Sequence, residues 1–174
     1  MRIGPRLAIM VTLVAGITAP IVSADTPTAY TAAQIRGAVD GAQASNSLWA
    51  TVNACNAPGG SDSIGIRGQM PALGLPAALS MTVQIDYWSA KDKSFLPAPG
   101  ASRTISLGES STGLHQAGVS FPFAHGSGVF SGTVTFRWVR GATLVAAATR
   151  EVTSGHPDAD FGSPAGFSAA RCSI

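Results

Sequence analysis

The sequence predicts an all-β protein, a single antiparallel β-sandwich of seven or eight short strands. Three observations carry that reading. Apolar and polar side chains alternate with a period of two in several short runs, clusters of turn-forming residues separate the runs, and no helical pattern lies between them. Strands that follow one another without intervening helices exclude βαβ units and point to two antiparallel layers.

The alternation is cleanest in two places. Met81, Val83, Ile85 and Tyr87 interleave with Thr82, Gln84, Asp86 and Trp88, and Val134, Phe136 and Trp138 interleave with Thr133, Thr135, Arg137 and Val139. Residues 132–152 read as the central hairpin. Gly141-Ala142 supplies a two-residue turn with glycine first, as a type II′ turn requires, and the chain returns through Leu144 to Val152.

Taken in order, the chain opens with Arg2 and Arg6, an apolar run from Leu7 to Val22, and a small-residue site at Val22-Ser23-Ala24. This is the pattern of a secretory signal peptide over residues 1–24, and Gly16 and Pro20 interrupt the run as a membrane span would not. The expected product is exported, secreted or held in the cell envelope, with no stable membrane insertion after cleavage. Residues 25–46 form a lead-in. Thr31-Ala32-Ala33-Gln34 matches a capping box and Ile35, Ala38, Val39 and Ala42 fall at helical spacing, while Gly37 and Gly41 weaken a helix there. A short helix and a mobile segment both remain open at this point.

The sandwich domain spans residues 47–174. Its first strand runs over 48–55, a second holds Ile64 and Ile66, and a third carries the Met81–Trp88 alternation. A short segment at Phe95 and Leu96 is expected to stop at Pro97-Ala98-Pro99-Gly100, with a separate strand over 103–107 and a loop over 108–118. Val119, Phe121 and Phe123 share one side of the next strand, where Pro122 marks an edge or a bend. Residues 125–128 make a tight connection into the hairpin. Beyond Val152 the chain is rich in Gly, Pro and Asp, and Phe167 and Cys172 are expected to pin the tail to the body.

Charge excludes one class of partner. The chain holds 11 basic and 9 acidic residues, and loss of Arg2 and Arg6 with the leader leaves the two signs balanced. With no cluster of Lys or Arg either, nucleic acid is not an expected partner. Cys55 and Cys172, both in the exported part and 117 positions apart, are expected to form a structural disulfide, because export is oxidising and neither has a Cys or His at ligand spacing.

The strand order, the Trp-bearing strands and the single pair of cysteines resemble an immunoglobulin-like or fibronectin-like sandwich, of the kind found in small secreted bacterial, actinobacterial-type proteins of unassigned function. The pair departs from the antibody pattern, in which two central strands are bridged beside a Trp. Here the cysteines stand near the beginning and the end of the folded region.

Chemistry-bearing motifs are sparse. No G-x-S-x-G elbow occurs, and Gly108-Glu109-Ser110-Ser111-Thr112-Gly113 has the wrong spacing for one. His115, His125 and His156 fall in expected loops. His156-Pro157-Asp158-Ala159-Asp160 gathers an imidazole and two carboxylates, a weak candidate for a metal, although Asp158 and Asp160 are more simply turn residues. Trp138 belongs with Val134 and Phe136 in the core. Trp88, on the more polar side of its strand, is the candidate ligand contact. The expectation is a non-enzymatic module without a cofactor that binds a protein or an envelope glycan. The alternative is a small hydrolase or metal-dependent enzyme with a site near His125 or His156–Asp160.

Overall fold

The computed structural model describes residues 29–56, 62–123, 127–158 and 160–174. The expected signal peptide and His125 therefore lie outside the described residues. One helix, α1 (Ala32–Gln43), precedes eight strands: β1 (Trp49–Cys55), β2 (Ser63–Pro71), β3 (Ala77–Ser89), β4 (Ser94–Ser110), β5 (Leu114–Pro122), β6 (Val129–Arg140), β7 (Thr143–Glu151) and β8 (Cys172–Ser173).

All ladders between named strands are antiparallel. One sheet has the order β1-β2-β5; the other has the order β4-β3-β6-β7, with β8 pairing β6 beyond the end of β7. This is an immunoglobulin-like order in which the fourth strand sits beside the third rather than the fifth. The inward positions of both sheets make one core: Ala50, Val52, Ile64 and Ile66 from the smaller sheet face Met81, Val83, Ile85, Val134, Phe136 and Trp138 from the larger. Trp138 is fully buried, and its indole N–H donates to the Pro71 carbonyl at 2.9 Å, so its polar edge is not left unpaired.

The hairpin of β6 and β7 turns at residues 141–142 with φ +57° on Gly141, the glycine-first arrangement expected. The capping box at the start of α1 is complete. Thr31 Oγ1 accepts from the Gln34 N–H at 3.2 Å, and Gln34 Oε1 accepts from the Thr31 N–H at 2.8 Å. The lead-in is thus a helix against the domain. Gln43 Nε2 donates to the Ala147 carbonyl of β7, Arg150 of β7 donates back to the Gln43 carbonyl, and Ala42 enters the core.

Two expectations fail in the middle of the chain. The interrupted pair of segments between 94 and 107 is one strand, β4, which continues to Ser110, and β5 begins at Leu114, so the loop expected over 108–118 shrinks to three residues. Polar, glycine-bearing sequence reads as loop, but β4 and β5 are edge strands whose outward side chains need not be apolar. The prolines still leave a mark. Asp86 pairs with Pro97 and Gln84 with Ser102, so residues 98–101 loop out opposite Ile85, with Gly100 at φ +74°.

Candidate functional site

The C-terminal segment after β7 does not trail away. It runs as a strap along the free edge of β1, bridging Ala50 to Val152, Val52 to Ala169 and Ala54 to Ser163, and folds over the outward side of β2 at His156 and Asp158. Thr51 Oγ1 meets Ser168 Oγ at 2.7 Å, and Asn53 donates its amide N–H to the Phe161 carbonyl. At the strap's far end Cys172 is bonded to Cys55, with Cα atoms 5.4 Å apart, and Phe167 packs against the core. The disulfide and the pinned tail are as the sequence predicts.

Beneath the strap lies Arg67 of β2, only 1% exposed. Its guanidinium donates to Asp158 Oδ2 at 2.8 Å, to Gln116 Oε1 at 2.7 Å and to the His156 carbonyl at 2.6 Å, and its centre stands 5.0 Å from the Trp49 ring. His156 stacks on the same Trp49 ring, 4.4 Å from its centroid and 7° from parallel, with Nε2 3.0 Å from Thr153 Oγ1. Burial, and then the positive charge of Arg67, hold the imidazole below its ordinary pKa. Asp158 Oδ1 accepts from the Asp160 N–H at 3.0 Å, a local turn bond. The three residues singled out as weak metal candidates therefore do not converge: His156 is stacked, Asp158 faces Arg67, and Asp160 is exposed. Among the described residues no three His, Cys, Asp or Glu side chains gather as ion ligands.

Trp88 is brought into a different setting, on the outward face of the five-stranded sheet. It is 43% exposed and stands opposite Phe95 in the β3–β4 ladder, the two rings 5.3 Å apart at 66°. Arg171 lays its guanidinium over Phe95 at 5.3 Å, and with Val129 these residues line a hollow of about 210 Å³. Phe95 is also a wall of an adjoining cleft of about 350 Å³. Its floor is polar because outward side chains of β3, β6 and β7 meet there: Gln84, Asp86, Ser131, Thr133 and Glu151. Gln84 Nε2 donates to the Ala98 carbonyl at 3.2 Å, leaving its Oε1 as an acceptor, and Ser131 Oγ donates to the Ala170 carbonyl at 3.0 Å. The side chains of Asp86 and Glu151 make no hydrogen bond or ion pair with a described residue. Partial burial first, and the nearby Glu151 charge second, raise the Asp86 pKa above its ordinary value.

Of these features, Trp88 alone was visible in the sequence. Phe95, Asp86 and Glu151 join it only through strand register, and Arg171 through the return of the strap beside β6. The period-two pattern already places Asp86 and Trp88 on one face of β3. Nothing local announces that Glu151, more than sixty positions later, faces the same cleft.

No family model matches this chain, and no curated protein matches it. One solved structure is similar over part of its length: a glycosyl hydrolase family 2 (GH2) member from Bacteroides cellulosilyticus, 9% identical, with a TM-score of 0.31, over 68% of this chain and 17% of that one. The chain thus spans about a sixth of the protein it resembles there. A similarity of that size adds nothing to the fold as described.

Proposed function

We propose that this chain is an exported, non-enzymatic binding module that holds an envelope saccharide on the outward face of its five-stranded sheet. One observation carries the reading: the Trp88–Phe95–Arg171 platform continues through Phe95 into a cleft whose Asp86 and Glu151 carboxylates have no hydrogen-bond or ion-pair partner among the described residues. A sugar ring presents an apolar C–H face and a rim of hydroxyl donors. Aromatic rings accept the first, and carboxylate and amide oxygens accept the second. Export rests on the leader pattern and is supported by the disulfide between Cys55 and Cys172.

The test is calorimetric titration of the oxidised protein with a panel of bacterial envelope oligosaccharides, repeated with Trp88→Ala and Asp86→Asn. A binding oligosaccharide is expected to lose about tenfold or more in affinity with Trp88→Ala, a truncation of an exposed contact aromatic, at unchanged melting temperature. No binding anywhere in the panel, or binding indifferent to Trp88, would overturn the reading. Binding of an envelope protein on the same face would then be the surviving form of a module.

A further inference from the structure

A second cleft, of about 650 Å³, opens at the end of the sandwich where the tip of the β6–β7 hairpin meets the start of α1. Tyr30, Pro76, Glu109, Arg140, Thr143 and Val145 are among its walls. Its volume is in the range of small-ligand sites. What distinguishes it is the arrangement of its two charges.

Arg140, the last residue of β6, is held from two sides. Its Nε donates to the Pro76 carbonyl at 3.1 Å, and its guanidinium centre lies 4.9 Å from the Tyr30 ring. Its two terminal nitrogens have no hydrogen bond to a described residue, and that is the pair of donors a carboxylate engages in bidentate fashion. Glu109 of β4 lines the same cleft, yet it does not pair with Arg140; among the described residues the one ion pair within 4.0 Å is Arg67–Asp158. The Pro76 and Tyr30 contacts hold the cation where it is instead of letting it swing to the acid. Apolar surface from Pro76 and Val145 lies in the same cleft.

We infer that this cleft binds a ligand carrying a free carboxylate and a free ammonium group, a short peptide with apolar side chains, its carboxylate on Arg140 and its ammonium on Glu109. A held cation and an acid that does not neutralise it, both in one cleft, complement such a dipolar molecule and disfavour one that lacks either end. This inference is independent of the saccharide face, which lies on other residues.

The probe is L-alanyl-L-alanine, titrated into the isotope-labelled oxidised protein and followed by amide chemical shifts, beside its N-acetyl form and its C-terminal amide. Saturable shifts are expected in residues 140–145. Removing either charge is expected to weaken binding about tenfold, the effect of losing one charge-assisted hydrogen bond. Glu109→Gln should abolish the penalty of N-acetylation while keeping that of amidation. Arg140→Lys, which keeps the charge but loses the fork, should weaken the free dipeptide and leave the amide as weak as before. Glu109→Gln alone decides the matter if the lysine variant loses its Pro76 contact and its fold. Equal binding of all three forms, or no saturable shift with the free dipeptide, would overturn the inference.

Discussion

Arg67 is a cation held away from water by three acceptors and an aromatic ring, so its partners matter more than its own presence. Removing Asp158 strands a buried charge, whereas removing the arginine leaves a carboxylate whose side chain is still 24% exposed. Asp158→Ala is therefore expected to cost about 2–3 kcal/mol in urea unfolding, more than Arg67→Met, which fills the space with an apolar stem. The reverse ranking would show that the pair does not hold the strap. His156 gives a second test at this scale. Its imidazole titrates below its ordinary value in the folded state, so the unfolded chain binds that proton more readily. Stability from this site is complete above about pH 6.5 and is lost as the pH falls from there through the lowered folded value. Melting temperatures measured downward through that window should fall, and His156→Phe, which keeps the stack on Trp49 but takes up no proton, should flatten the decline.

At the scale of elements, the β6–β7 hairpin is a legible part of the chain that tolerates little change where β6 crosses the core. A Cβ on Gly132 would lie within 2.5 Å of the Gln84 carbonyl oxygen and would press on the Ile66 side chain across the core. Gly132→Ala should thus destabilise by about 2–3 kcal/mol, seen as a shifted midpoint in denaturant unfolding. Gly141→Ala should cost less, about 1 kcal/mol, because it strains a positive φ with nothing crowding the added methyl. The hairpin was readable because its turn and both strands obey local rules, and so were β1, β3, the capping box of α1 and the place of Trp138. Edge strands β4 and β5 were misread over 108–118 because their polarity records solvent on one side. Arg67 alternates with Ile64 and Ile66 as a surface residue would; only the strap, arriving from ninety positions away, buries it. The face proposed for a saccharide has the same origin: Trp88 shows in the sequence, but Phe95, Glu151 and Arg171 reach it through pairing.

Taken whole, the molecule is closed by its last residues. The Cys55–Cys172 bond encloses nearly all of the sandwich in one covalent loop with a sequence separation of 117. For a loop of that length the chain-entropy model gives about 4–5 kcal/mol, so a Cys55→Ser, Cys172→Ser double variant should melt well below the parent. The strap should then become the first segment cut in limited proteolysis; an unchanged cleavage pattern would show that Arg67 and the bridges hold it unaided. The looped-out residues of β4 have a consequence of another kind. An exposed sheet margin is a template on which a second molecule can extend the ladder. On the larger sheet that margin carries Pro97 and Pro99 around a break in register, and on the smaller sheet the β5 margin closes with Pro122. A residue without an N–H cannot donate to an incoming strand, so these two edge strands discourage runaway edge-to-edge pairing.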